Sequence, residues 1–452
     1  MPSPLRIAFV SLHTSPADAP GSGDAGGMNV VERAQADALA RQGHTVELIT
    51  RRSSPDAPDV VELSPGVLLR HLDAGPREHL AKSAIDQYIP QFAEGLARLG
   101  EELRSSSAPR QRRLSSPQSG RVETLGLSSE QSERVETQAT LETLPPYDII
   151  HSHHWMSGVA ALPLARAWGV PHVQSFHSVA ALPGSPLTAG EPPESPHRVA
   201  GERLVAQGSD CVVAISAAEA RTVIERCGAD PDHVCIVSPG VDGDLFRPLA
   251  PGEERWSWPP EAPQSWPRGY VLFAARLQPL KAPDLAIGAL AELPREIRPH
   301  LVVAGDVSVD FAAYEAELHA MVDQLGLGDD VTFIGPQPRP ELARIMRGAR
   351  VVLVPSHSET FGLVALEAAA SGTPVIAAAA GGLREAVAHG ETGQLMDSRH
   401  PHDWGLALTR LLTEPGLLER MSVVARVHAR RFDWRWAALR LAGVYDELLG
   451  RA

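Results

Sequence analysis

The sequence predicts an α/β protein of two successive doubly wound units facing each other across a cleft. Three observations predict it. The chain has 452 residues, more than a single hydrophobic core usually serves. Short apolar runs of strand length alternate with helix-period stretches, the rhythm of parallel β/α folds. A Pro- and Trp-rich stretch interrupts that rhythm once, near the middle, and the rhythm then resumes.

The elements follow in order. Arg6–Ser11 is a continuous apolar run, read as a strand buried on both faces. A polar loop of Gly, Ser, Pro and Asp runs from Thr14 to Ala25. From Gly26 the spacing is helical up to Gly43, which suits a C′ position, and Thr45–Thr50 is the next strand. Tyr147–His151, Pro171–Ser175, Asp210–Ile215 and Val234–Ser238 continue the strand series, so residues 1–247 form the first domain. Residues 248–268 read as a linker. A second series has strands at Tyr270–Ala275, Leu301–Ala304, Val331–Ile334, Val351–Val354 and Pro374–Ala377, giving a second domain over 269–432. The tail 433–452 reads as an amphipathic helix able to cross back to the first domain. Residues 104–145 are rich in Ser, Gln, Glu and Arg and repeat Arg-Val-Glu-Thr at 121 and 134. That composition cannot build a core, and it predicts a disordered or loosely ordered insertion.

Composition excludes several function classes. Lys plus Arg number 41 against 55 Asp plus Glu, a net charge of −14, which argues against a nucleic-acid partner. No apolar run reaches the roughly 18–20 residues of a membrane span, and the N-terminus has no signal-like apolar segment. Cys211, Cys227 and Cys235 are too few and too unevenly spaced for a disulfide framework or a zinc site. These features predict a soluble cytoplasmic protein.

Four constellations carry chemistry. Gly26 and Gly27 close the long loop before a helix, where backbone N–H groups and the helix dipole attract an anion; such loops also serve as plain turns. Arg276 and Lys281 follow the first strand of the second unit, at the carboxyl end where such sheets bind ligands. A guanidinium fork beside a lysine suits a diphosphate, and two solvated charges at a helix start read equally well. Glu359 and Glu367 lie eight positions apart across a strand–loop–helix junction, placed to accept hydrogen bonds from sugar hydroxyls. The backbone at Phe361–Leu363 offers N–H groups to an anion. The fourth set is dispersed: His13, Lys82, His151, His153, His154, His177, Ser178 and Arg198. His151 and His153 also suggest a metal, but no suitably spaced acid or cysteine lies nearby in sequence, so that reading is set aside.

With these motifs in hand, the chain resembles the retaining glycosyltransferases of family 4, which have the GT-B fold of two Rossmann-like domains. Ser11–Pro16, Gly23–Val30, His151–Gly158 and Leu277–Pro283 carry the resemblance together with the paired glutamates. It covers nearly the whole chain outside the insertion and linker. It implies transfer of N-acetylglucosamine from UDP-N-acetylglucosamine to 1D-myo-inositol 3-phosphate, with UDP released, in mycothiol biosynthesis. It also implies a homodimer.

Residue by residue, the resemblance implies that His13, Asp24, Ala25, Gly26, Gly27, Met28 and Asn29 touch the acceptor. Lys82, His154, Ser178 and Arg198 belong to the acceptor-phosphate pocket. Ala19, Pro20, Gly27 and Gln337 contact the donor. Arg276 and Lys281 hold its diphosphate, Glu359 the transferred sugar and Glu367 the ribose. His177 sits beside the reacting sugar. A peripheral magnesium is implied at the main-chain carbonyls of Met346, Arg347, Ala349 and Thr373; the chemistry itself requires no cofactor. The family pattern has Tyr at the position of His154 and Thr at that of Ser178. Both replacements can still hydrogen-bond a phosphate, but they leave open another cyclitol or sugar phosphate as acceptor. A nucleotide-sugar epimerase and a non-catalytic sugar-binding protein share the same fold.

Overall fold

A computed structural model describes residues 3–19, 25–106, 145–181, 195–256, 258, 266–307, 311 and 313–451. The expected insertion falls almost wholly outside these residues.

The first sheet has eight strands in the order β3-β4-β2-β1-β5-β6-β7-β8. They are β1 (Arg6–Ser11), β2 (Thr45–Arg51), β3 (Val60–Ser64), β4 (Val67–Leu72), β5 (Ile149–His153), β6 (His172–Ser175), β7 (Cys211–Ala214) and β8 (Val234–Ile236). All pairings are parallel except the β3–β4 hairpin, which forms one edge. The helices of this half are α1 (Gly27–Arg41), α2 (Ile89–Ser106), α3 (Trp155–Trp168), α4 (Arg198–Gly208) and α5 (Ala217–Thr222). β1 and β5 are buried almost throughout, as their continuous apolar character predicts. The hairpin escapes sequence reading because β3 is half exposed and its polar residues blur the alternation.

The second sheet is wholly parallel, in the order β11-β10-β9-β12-β13-β14. Its strands are β9 (Tyr270–Ala274), β10 (His300–Ala304), β11 (Val331–Gly335), β12 (Val352–Val354), β13 (Val375–Ala378) and β14 (Gly393–Met396). The short edge strand β14 is a further element without a clear sequence signal. The remaining helices are α6 (Pro283–Ala291), α7 (Tyr314–Gln324), α8 (Arg339–Gly348), α9 (Leu363–Ala370), α10 (Leu383–Ala386), α11 (Pro401–Thr413), α12 (Leu417–Ala429) and α13 (Trp434–Leu448).

Two apolar clusters cover the faces of the first sheet, and a third fills the second half. The described part of the expected linker packs on the second half. Trp256 Nε1 donates to Glu341 at 2.6 Å, and Trp266 stacks on His300 with ring centroids 4.2 Å apart. The final helix α13 crosses back. Leu441 and Tyr445 join the core of the first sheet, and the Tyr445 hydroxyl meets His151 Nδ1 at 2.7 Å. The two chain segments nearly touch at the crossing. A Cβ added to Gly240 would lie 2.3 Å from the backbone nitrogen of Trp434, so only glycine fits.

Topology places the site. β1 lies between β2 and β5, and β9 between β10 and β12. At these two points the winding reverses and a crevice opens beyond the carboxyl ends of the strands. The loop after β1 carries Gly26 and Gly27, and the loop after β9 carries Arg276 and Lys281.

Candidate active site

The two crevices face each other and enclose a cleft of about 740 Å³ lined from both halves. At Gly26, an added Cβ would lie 3.9 Å from Arg276 Nε; at Gly27, 3.3 Å from the Leu363 side chain. The glycine loop of one half thus meets the cationic loop and the N-terminus of α9 from the other. Ala25, Gly26, Gly27, Met28 and Asn29 all line the cleft. Asn29 has a structural task as well. Its carbonyl oxygen accepts from the Gly26 amide at 2.9 Å, and its amide donates to the Ser15 carbonyl at 2.7 Å and to the Thr14 hydroxyl. The side chain therefore holds the loop against α1.

The second half supplies a coupled pair. Lys281 Nζ donates to Glu359 Oε1 at 2.6 Å, and the Ser356 hydroxyl donates to the same oxygen at 2.8 Å. Sequence reading assigned these residues to different parts of one ligand; the fold bonds them to each other. The amide of His357 donates to the Leu280 carbonyl at 2.8 Å, tying the two loops together. Glu367 is buried and paired with Arg339 at 2.8 Å. The Arg339 guanidinium lies 5.0 Å from the Phe246 ring centroid. Arg339 was not singled out in the sequence, where it reads as one more charge at a helix start. Gln337 lines the cleft and donates to the Ile334 carbonyl at 2.7 Å.

The first half supplies imidazoles and cations. His177 and His154 both adopt positive φ, 58° and 70°, which for non-glycine residues stores backbone strain of about 1–3 kcal/mol each. His177 is pinned from the opposite half, because the Thr360 hydroxyl donates to its carbonyl at 2.6 Å. Ser216 donates back to the Thr360 carbonyl at 2.6 Å, and Glu385 accepts from the amides of Ala217 and Ala218 at the start of α5. His177 keeps one edge on the cleft and is otherwise enclosed by protein, and burial lowers its pKa to about 3. Its imidazole is neutral at pH 7. It can orient a sugar by hydrogen bonding but supplies no positive charge.

His13 and His154 are in ring contact, with centroids 4.2 Å apart. Burial lowers both pKa values well below the ordinary range, and Lys82 and Arg198 add to the effect on each. The pocket is therefore cationic through Lys82 and Arg198, not through its histidines. Arg198 donates to Glu202 at 2.7 Å and to the Ser178 hydroxyl at 3.1 Å. Glu202 in turn accepts from the Ala180 amide at 3.0 Å, which holds the segment after Ser178. Lys82, His154 and Ser178 line the cleft; Arg198 stands directly behind Ser178.

Two buried acids were missed, the first of them lining the cleft. Glu219, on α5, is buried, and burial raises its pKa to about 7 even though the Ile215 amide donates to it at 2.7 Å. Its signal was present as Ser216-x-x-Glu219, a helix-start pattern; the Ser216 hydroxyl does accept from the Glu219 amide. The second is Glu32. Sequence spacing found no acid for His151 and His153, but α1 brings Glu32 Oε1 to 3.7 Å from His153 Nδ1. That correction comes from tertiary contact across about 120 residues of sequence.

Some expected positions lie elsewhere. Pro20 and Asp24 fall outside the described residues. Ala19 is exposed and is not among the described residues lining the cleft. Met346, Arg347, Ala349 and Thr373 gather at the end of α8, away from the cleft lining. There the Met346 carbonyl already accepts from the Thr373 hydroxyl at 2.7 Å and the Ala349 amide at 3.2 Å. A hard dication prefers an octahedral oxygen set that usually includes a carboxylate. The Met346 carbonyl is thus already engaged within the helix end, and the set contains no carboxylate.

Comparison with known proteins agrees with this geometry. Residues 26–240 match the glycosyl transferase 4-like domain, and residues 255–428 match the glycosyl transferases group 1. The chain is 40% identical to D-inositol 3-phosphate glycosyltransferase of Thermobispora bispora, over 99% of this chain and 95% of that one. It is also 40% identical to the enzyme of the same name from Thermomonospora curvata, over 97% and 95% of the two chains. Among solved structures, sucrose-phosphate synthase from Thermosynechococcus elongatus superposes with a TM-score of 0.78 at 25% identity, covering 99% of this chain and all of the other. The chain is therefore a glycosyltransferase of the GT-B fold and belongs to the D-inositol 3-phosphate glycosyltransferase family.

Proposed function

We propose that the protein transfers N-acetylglucosamine from UDP-N-acetylglucosamine to 1D-myo-inositol 3-phosphate, with retention at the anomeric carbon, as a step of mycothiol biosynthesis. The observation that carries the reading is the division of cations along one cleft. Arg276 and Lys281 face the glycine loop at one end, and Lys82 with the Arg198–Ser178 pair marks the other. Two phosphorylated ligands meeting between them suit that division.

In the reaction the bond from the sugar anomeric carbon to the diphosphate oxygen breaks. A bond from the inositol hydroxyl oxygen forms on the same face, and the hydroxyl proton passes to the departing diphosphate. Arg276, Lys281 and the amides at the start of α9 stabilise charge as it develops on the leaving group. Glu359, held by Lys281 and Ser356, accepts hydrogen bonds from the sugar hydroxyls. Glu367, held by Arg339, does the same for the ribose. Neutral His177 orients the sugar. Enclosure between the two halves limits donor hydrolysis. Gly27, His13, His154 and Gln337 shape the ligand pockets, and no residue acts as a covalent nucleophile.

His154 and Ser178 favour one second reading, a different cyclitol phosphate as acceptor. Release of UDP from UDP-N-acetylglucosamine, measured against inositol, inositol 3-phosphate and other cyclitol phosphates, separates the two. Fastest turnover on inositol 3-phosphate is expected, and turnover on free inositol at the same rate would sink the reading. The proposal extends to a cytoplasmic homodimer. Exposed Val423, Val427, Trp436 and Leu439 on α12 and α13 support self-association, and a protomer mass by light scattering would oppose it.

A further inference from the structure

Glu32 is an acid without a partner in the wall of the first half. Its side chain is fully buried, and neither carboxylate oxygen meets a hydrogen-bond donor. The neighbouring Ser11 hydroxyl donates elsewhere, to the Thr14 carbonyl at 3.0 Å. A buried unsatisfied polar group costs roughly 1–3 kcal/mol, so its surroundings call for an explanation.

Those surroundings are two imidazoles. His153 Nδ1 lies 3.7 Å from Glu32 Oε1 and 2.8 Å from His177 Nε2. One ligand atom from each of the three residues falls within 4.8 Å of the others, and among the described residues this is the group of His, Cys, Asp and Glu that does so. Ligands about 2.0–2.1 Å from a tetrahedral ion stand about 3.3 Å apart; the 2.8 and 3.7 Å separations bracket that value, and the third lies within 4.8 Å. We propose that Glu32, His153 and His177 form a binding site for one transition-metal dication of the Zn2+ type, with its fourth position open to the cleft.

The donor set supports that class. Two imidazoles and one carboxylate with an open position suit zinc, while calcium and magnesium prefer all-oxygen sets. The three ligands come from α1, β5 and the end of β6, elements that the sheet already holds together. An entry path exists because His177 lines the cleft. Proton balance closes as well. Glu32 releases its proton to solvent. The proton between the two rings moves to the outer nitrogen of whichever ring carries it, His153 Nε2 or His177 Nδ1, and neither of these has a partner in the structure.

Occupancy has a consequence. Zn2+ with one carboxylate places net positive charge beside the sugar, where positive charge also develops in an oxocarbenium-like transition state. The ion therefore inhibits transfer. The binding claim stands apart from the identity of donor and acceptor; only the inhibition arm rests on the transferase reading.

The test uses the full chain, stripped with a chelator and desalted. Titration with ZnCl2, followed by gel filtration and metal analysis, is expected to give one Zn2+ per chain. Glu32→Gln and His153→Gln should each weaken binding at least tenfold. Co2+ in the wild-type chain should give the intense visible absorption of a tetrahedral site, a readout independent of how the variants fold. Stoichiometric Zn2+ should lower wild-type UDP release at least tenfold and spare Glu32→Gln. No bound metal, weak octahedral Co2+ absorption, or binding unchanged in Glu32→Gln would each overturn the proposal. If stripped enzyme releases no UDP with any acceptor, the transferase reading fails while the metal titration still answers the binding claim.

Discussion

The contact between Lys281 and Glu359 makes a quantitative prediction. The two groups meet at 2.6 Å and are 17% and 18% exposed, so water screens them only in part. Lys281→Met and Glu359→Gln each remove one side of the bond with little change in shape. Loss of a preorganised charge at a developing oxyanion costs about 10²–10³ in rate, and the first variant should fall in that range. The second should lose a similar factor through the sugar hydroxyls. Were the residues independent, the factors would multiply in the double variant. They are not independent, because each single change leaves the other group without its partner. A hydrogen bond to a charged group contributes about 1.5–3 kcal/mol, so the double variant should retain about 10–150 times more kcat/KM than multiplication predicts. The assay is UDP release for the four proteins under identical conditions, with UDP affinity measured alongside. Additivity within about 0.5 kcal/mol would refute the argument, since that is the behaviour of distant sites.

Three more expectations follow from the same contacts. Glu219 has a folded-state pKa of about 7 against 4.5 for the ordinary carboxyl, so the folded protein binds the extra proton between those values. Its stabilising share is full below about pH 4.5 and is lost as pH rises through 7. The total is about 3 kcal/mol, and urea unfolding of Glu219→Gln across that window should lack this slope; an unchanged slope contradicts it. Arg339→Ala strips the partner from buried Glu367 and should weaken UDP binding about tenfold or more, with kcat less affected, as calorimetry and steady-state kinetics would show. Gly305 has φ 151°, and a Cβ there would lie 1.9 Å from the Ala275 carbonyl, next to Arg276. Gly305→Ala should cost about 1–3 kcal/mol of stability and reduce UDP affinity, and a variant with wild-type melting and binding would refute that placement.

Much of the architecture is written locally. β1, β5, β9 and β10 are continuous apolar runs because both faces are covered, and such runs stand out in a sequence. Gly26, Lys281 and Glu359 were legible because loops at strand ends carry short motifs of fixed spacing. The β3–β4 hairpin and β14 were not, since edge strands are half exposed and lose the pattern. Nor were the residues that work through partners distant in sequence. Thr360 matters because it reaches the His177 carbonyl 183 positions away, and Tyr445 because it reaches His151 294 positions away. Glu32 looks like an ordinary polar residue on a helix until the fold buries it against His153. Protonation states were equally hidden. Nothing in the local sequence marks His13, His154 and His177 as neutral, and it is burial in the fold that makes them so.

The central claim is retained transfer of a sugar from a UDP donor to a phosphorylated cyclitol. The measurement that addresses it most directly is the anomeric configuration and mass of the product formed from UDP-N-acetylglucosamine and 1D-myo-inositol 3-phosphate, read by NMR and mass spectrometry. The account predicts an α-linked N-acetylglucosaminyl inositol phosphate, formed in step with UDP. An inverted β-linkage, or UDP release that yields only free N-acetylglucosamine, would contradict it.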